Sequence, residues 1–239
     1  MKIKVLYEDS NILAINKPSG ILVHPVPEQA RYGTGPDKTI LEIFRKKFPK
    51  LEVVHRLDRE TSGVMLLAKN KKAHEFLKKQ FSAPALEIAK RGLADKANRV
   101  KKTYVAIVNG FVKLDHGFVN KPIGRSPKDF RRHLAGRGAR GTMREAITEY
   151  KVLKRFTAKK EKYTYLEIYP KTGRTHQIRV HMKFLNHPVA CDSLYNPGKP
   201  CPAAFSRLAL HAKFIEFKNL KGRTIKVESP LPPEFKKVL

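Results

Sequence analysis

The chain has 239 residues, 41% of them hydrophobic, enough for one large domain or two small ones with a real core. Lysine and arginine number 50 against 21 aspartate and glutamate, a formal net charge of +29 that points to a polyanionic partner, nucleic acid first. A lysine-rich thermophile surface would carry a matching rise in acidic residues, which is missing. Apolar runs fall short of the roughly 20 residues a membrane helix needs, and Met1-Lys2-Ile3-Lys4-Val5 lacks a signal peptide's apolar core, so a cytoplasmic protein is expected.

In chain order, β-like runs fall at residues 3–7, 12–16, 64–68, 104–108, 146–153, 163–169, 208–217 and 224–228. Helical patterns fall at 39–48, at 71–81 behind an Asn70 cap, and at 175–185. Helices are too few to give every strand pair a crossover. The expected fold is therefore α+β, a mixed, largely antiparallel central sheet flanked by helices, in one domain over 1–239. Two basic excursions leave that scaffold, at 83–101 and 121–144. The first has a helical composition that fits either a structural or an RNA-facing role. The second carries eight basic residues, among them Arg125, Arg131, Arg132, Arg137, Arg140 and Arg144, against Asp129 alone. Gly136, Gly138 and Gly141 interleave the arginines, which reads as a flexible arm that follows a phosphate backbone and orders on binding; a solvated loop is the bland alternative.

The chemistry concentrates in His55-Arg56-Leu57-Asp58-Arg59-Glu60-Thr61-Ser62-Gly63, a polar knot between apolar runs. Positive charge on both sides of Asp58 favours the carboxylate form, suited to nucleophile or acceptor and poorly suited to donate a proton. The competing explanation is a turn cap paired internally with Arg56 or Arg59. Lys102-Thr103-Tyr104 opens a strand with a tyrosine able to stack on a base, although a core tyrosine is commoner. Gly173-Arg174-Thr175-His176-Gln177-Ile178-Arg179-Val180-His181 follows a strand and enters a helix. At helical spacing His176, Arg179 and Lys183 share one face, and Ile178, Met182 and Leu185 another. His187-Pro188 leads through Asp192 to Tyr195 in what reads as an ordered loop. Cys191 and Cys201 match neither a zinc knuckle nor a disulfide scaffold and read as free thiols. No phosphate-binding or dinucleotide glycine motif occurs.

These segments together resemble the RluA-type RNA pseudouridine synthases, and the likeness runs in order through nearly the whole chain. Ile15-Asn16-Lys17-Pro18-Ser19-Gly20 with His24-Pro25 resembles the first motif, and His55-Arg56-Leu57-Asp58 with Thr61-Ser62-Gly63 the catalytic one. Lys102, Tyr104 and Gly110, then Gly173 to His181, then Leu210-His211-Ala212 with Pro230-Leu231-Pro232 resemble the rest. The resemblance implies a pseudouridine synthase-like fold with a central RNA-binding cleft and conversion of uridine to pseudouridine in ribosomal or transfer RNA. It implies no cofactor and no metal, since the isomerisation involves no net redox. Asp58 would be the essential carboxylate, and Arg56 would enter the space vacated by an extruded base. Tyr104 would stack on the flipped uracil and assist proton removal at C5. Arg179 would pair with Asp58, and Ile178 and Leu210 would supply apolar walls or simply core. His176 joins the arginines of 121–144 as an RNA contact. His55 is given a structural hydrogen bond and no proton transfer.

Three departures from the pattern stand out. The stretch from Phe81 to Lys102 is longer than expected, Cys191 stands where the pattern has glycine, and no S4-like domain precedes the first motif. A monomer without an obligate protein partner is expected. Two other classes compete: a metal-dependent nuclease drawn from His176, His181, His187 and Asp192, and a non-catalytic RNA-binding or ribosome-assembly factor on the same fold. The five-residue step from His176 to His181 does not stack two imidazoles on one helical face, which counts against the nuclease. The intact set of Asp58, Arg56, Tyr104 and Arg179 counts against the non-catalytic factor.

Overall fold

The computed structural model describes residues 3–25, 39–82 and 99–238. Most of the 83–101 excursion lies outside the described residues. The chain packs as two compact units interleaved in sequence. The first takes residues 1–83, 98–100 and 214–229, and the second takes 84–97, 101–213 and 230–239.

In the first unit, β1 (Val5–Glu8) pairs with β2 (Ile12–Lys17), and β2 pairs antiparallel with β4 (Ser62–Ala68), Ile12 opposite Ala68 and Lys17 opposite Gly63. All seven residues of β4 are buried, which is why the run reads as continuously apolar rather than alternating. The short β3 (Glu52–Val53) lines the far end of β4. Helix α1 (Ile40–Arg45) opens on a capping box: Thr39 Oγ1 accepts from Glu42 N–H, and the Glu42 carboxylate accepts from Thr39 N–H at 2.7 Å. Helix α2 (Lys71–Ser82) starts behind the expected cap, Asn70 Oδ1 accepting from Ala73 N–H at 2.9 Å.

In the second unit, β5 (Lys101–Asn109), β11 (Glu161–Pro170), β10 (Ile147–Ala158) and β6 (His116–Asn120) form consecutive antiparallel pairs. Val105 to Val108, Leu166, Ile168, Leu208 and Phe235 build its core. Ile178 and Met182 of α3 (Gln177–Phe184) dock into that core, as the apolar spacing of the segment requires. A second sheet of three short strands, β8 (His133–Ala135), β7 (Ile123–Arg125) and β9 (Arg140–Arg144), has β7 in the centre. The 121–144 segment is thus a folded platform, not the flexible arm its composition suggested. Its glycines take left-handed turns, Gly136 at φ +73° and Gly138 at φ +88°, which lets three strands of only a few residues reverse tightly. Ile123 and Ala146 pack with Val180 and Tyr195, tying the platform to α3. The chain passes from the second unit into the first along β12 (Leu210–Lys218), whose end pairs with β13 (Thr224–Glu228). Helix α4 (Pro233–Lys236) closes the described chain.

The reading of Cys191 and Cys201 as free thiols is corrected: their sulfurs are bonded, with Cα atoms 5.3 Å apart. Sequence spacing carried no hint, because the loop between them doubles back. Cys191 takes a left-handed backbone of the kind glycine favours, φ +58°.

Candidate active site

Asp58 is half-buried at the start of a tight turn, its carbonyl accepting from Thr61 N–H at 3.1 Å just before β4 begins. Leu57 beside it is 5% exposed and anchors the loop, while Arg56 projects into solvent. The turn is braced from the first motif. Lys17 is fully buried, and its Nζ donates to the carbonyls of Pro18, Arg59 and Thr61, each at 2.9 Å. Ser19 Oγ donates to Glu60 O at 2.6 Å, Gly20 N–H to Arg59 O at 2.8 Å, and Arg59 Nε back to Gly20 O at 3.0 Å. Each carbonyl of residues 58–61 except that of Glu60 therefore accepts from a backbone N–H or the Lys17 ammonium, and that of Glu60 accepts from a hydroxyl. Such a loop holds its carboxylate without needing a ligand to order it. His55 sits behind: its Nε2 accepts from Leu66 N–H at 2.9 Å and its ring stacks on Phe81 at 4.6 Å. Burial, reinforced by the Arg56 charge, pushes the His24 pKa down.

In the second unit, Tyr104 lies on β5 opposite Ile168 and packs partly buried against the core. Ile178 and Leu210 are 6% and 3% exposed within that core. Arg179 is buried and makes a bidentate pair with fully buried Asp192, Nε to Oδ2 at 2.7 Å and Nη2 to Oδ1 at 2.8 Å. Its guanidinium also lies 5.0 Å over the Tyr195 ring. Asp192 Oδ1 accepts from the backbone N–H of Leu194 and Tyr195, each at 3.0 Å, so one carboxylate fixes both the loop and the arginine. His176 does not share the α3 face expected for it. It caps the helix in a left-handed conformation at φ +54°, and its Nδ1 lies 2.9 Å from Tyr195 Oη.

The four side chains drawn as metal ligands go to different partners: His176 to Tyr195, His181 to Thr148 and the Lys121 carbonyl, His187 to the Asn109 carbonyl, and Asp192 to Arg179. They do not converge. Within 121–144, Arg131 forms a fork on Asp129 at 3.1 and 3.0 Å, and Arg132 approaches the same carboxylate at 3.4 Å. These guanidinium groups hold the Asp129 pKa below the usual carboxylate range. The sequence reading assigned no site role to Lys17, and it drew Asp192 only as a candidate metal ligand. A lysine closing the buried, mostly apolar strand Ile12–Lys17 was the available signal for Lys17; for Asp192 the sequence offered none.

A fold of this kind, with a braced aspartate loop in one unit and a basic platform in the other, matches known proteins. The family model described as RNA pseudouridylate synthase matches residues 11–184. The chain is 34% identical over its whole length to an uncharacterized RNA pseudouridine synthase of Bacillus subtilis (strain 168), covering 72% of that protein. It is 36% identical over 99% of its length to the ribosomal large subunit pseudouridine synthase D of Xanthomonas campestris pv. campestris, covering 68%. Among solved structures, human RNA pseudouridylate synthase domain containing 4 aligns with a TM-score of 0.68 at 26% identity, over 97% of this chain and 90% of that one. Human RNA pseudouridylate synthase domain containing 1 gives 0.73 at 24% identity, over 97% and 84%, and shows the fold. The chain belongs to the RNA pseudouridine synthase family and is an isomerase acting on RNA.

Proposed function

We propose that this enzyme isomerises uridines in ribosomal RNA, with Asp58 as the reacting carboxylate. The observation that carries the assignment of Asp58 is its loop: a half-buried acid, held by Lys17 and the first-motif backbone, beside an exposed arginine in a chain of net charge +29. The ribosomal substrate is supported by the relatives named for the large subunit.

In the reaction the N1–C1′ bond of uridine breaks and a C5–C1′ bond forms, while C5 loses a proton and N1 regains one. Atoms and electrons balance without a redox partner. Asp58 is the carboxylate that meets the target nucleotide, and Arg56, exposed two residues before it, fills the gap left by the extruded base. That offsets part of an unstacking cost on the order of a few kcal/mol. Tyr104 stacks on the uracil and takes part in the proton loss at C5. Arg179, whose guanidinium is held by Asp192 and lies over the Tyr195 ring, serves as a fixed positive charge in the reaction. Ile178 and Leu210 serve as apolar backing. The enzyme works as a cytoplasmic monomer; among the described residues no helix is long and apolar enough to cross a membrane.

The test is to incubate the protein with unmodified large-subunit ribosomal RNA and, separately, unmodified transfer RNA, and to map pseudouridine at nucleotide resolution. Modification of discrete ribosomal positions is expected. Modification confined to transfer RNA would contradict the ribosomal assignment, and none in either would contradict the activity.

A further inference from the structure

The basic platform encloses a cavity of about 490 Å³, within the size range of ligand pockets. Arg125 and Gly124 come from β7, Arg140 and Arg144 from β9, and Arg174 from the loop entering α3. Among the described lining residues none is acidic. Arg125, Arg140 and Arg144 are exposed and make no ion pair among the described residues, in contrast to Arg131 and Arg132 on Asp129. Arg174 is held in place by its Nε donating to the Glu145 carbonyl at 2.8 Å. All five residues of β9 are exposed, so the strand buries almost nothing to offset the mutual repulsion of its two arginines. β7 and β9 pack closely here: a Cβ on Gly124 would stand 2.5 Å from Met143 Sδ, 3.0 Å from Ala139 Cβ and 3.2 Å from the Arg140 carbonyl oxygen, so glycine suits this position.

We propose that this cavity is a phosphodiester site that seats the backbone of the substrate RNA, with Arg125, Arg140, Arg144 and Arg174 as its ligands. The guanidinium fork matches phosphate oxygens, and a preformed cluster of forks binds without the ordering cost of a flexible arm. The site thereby separates Arg125, Arg140 and Arg144, which grip phosphate, from Arg131 and Arg132, which hold Asp129. This inference rests on the RNA-modifying reading.

The experiment compares two doubly neutralised proteins, Arg140→Gln/Arg144→Gln in the cavity and Lys128→Gln/Arg137→Gln outside it, each in an Asp58→Asn background so that turnover plays no part. All four positions are exposed, and thermal unfolding confirms that both proteins fold. Binding of a uridine-containing RNA hairpin is measured across a salt series, and inorganic pyrophosphate serves as a competitor. The cavity protein is expected to bind on the order of tenfold or more weakly than the outside protein at equal salt. Its salt slope should fall by about 0.7 to 0.9 per lost phosphate contact. Pyrophosphate should compete with RNA on the parent and lose that effect on the cavity protein. Equal weakening of the two proteins would mean a diffuse cationic face and overturn the proposal. Pyrophosphate binding that RNA fails to displace would mean a small-anion site and overturn it as well. Either failure leaves pseudouridine formation by the wild-type protein intact, so it is distinct from a failure of the activity itself.

Discussion

Lys17 shows how much one buried charge does in this protein. Its ammonium satisfies three carbonyls at 2.9 Å, two of them in the turn that presents Asp58. Lys17→Met would take this donor from all three carbonyls, leaving that of Arg59 with Gly20 N–H, at a cost of roughly 1 to 3 kcal/mol for each acceptor left unpaired beyond the reach of water. Urea unfolding should show a lowered midpoint, and the turnover of protein that remains folded should fall; unchanged values of both would remove the brace from the account. His181 is the second buried polar group with a readable consequence. Its Nε2–H donates to the Lys121 carbonyl at 3.0 Å and its Nδ1 accepts from Thr148 Oγ1 at 2.9 Å. Burial is the largest influence on its pKa and pushes it below the ordinary histidine value, with the carbonyl opposing. With the folded value depressed, the unfolded chain takes up the proton first. The stability held by neutral His181 is complete above about pH 6.5 and drains away as pH falls through the depressed folded value. His181→Gln should flatten the acid side of the stability profile relative to wild type, and identical slopes would contradict this. Residues such as these are hard to read from sequence. Lys17 looked like a motif letter and His181 like a candidate ligand, because burial and partners are properties of the folded chain.

At the scale of elements, apolar periodicity located most of what it could. The helix expected at 71–81 is Lys71–Ser82 behind Asn70, the one at 39–48 is shortened to Ile40–Arg45, and that at 175–185 is Gln177–Phe184. The shortfall at His176 has a physical cause: hydrogen bonding to Tyr195 draws the residue into a left-handed cap and takes it off the helical face. β7, β8 and β9 were invisible because strands of three to five residues, the longest of them exposed throughout, bury too little to impose an alternating pattern, and their arginines read as disorder. Folded as they are, the amides of central β7 should exchange slowly in the RNA-free protein, while random-coil exchange there would restore the flexible arm. The Asp192 loop offers a further test through Cys191. Left-handed φ costs a non-glycine residue about 1 kcal/mol. Under reducing conditions Cys191→Gly should therefore stabilise the fold by about that amount. Under oxidising conditions the missing Cys201 bond costs about 2 to 3 kcal/mol, for a net loss of about 1 to 2 kcal/mol after the backbone gain. Denaturant midpoints with and without reductant read both signs, and a shift of the same sign in both would contradict the pairing.

For the molecule as a whole, the net charge and the ordered series of motifs were legible from the outset, and the family follows from them. Composition identified a polyanion as partner but was silent on how the positive charge is arranged. Only the folded chain shows some arginines spent on Asp129 and others left facing a cavity. The division of the chain into two interleaved units was equally hidden, since residues 214–229 fold with a unit whose other members lie far away in sequence. What unites these scales is a single acid on a braced turn in a chain of net charge +29. The direct measurement is pseudouridine formation in unmodified large-subunit ribosomal RNA by wild-type protein and by Asp58→Asn, with RNA affinity recorded in parallel. Loss of all detectable pseudouridine with affinity retained within a few-fold is the expected result, and normal pseudouridine formation by Asp58→Asn would contradict the account.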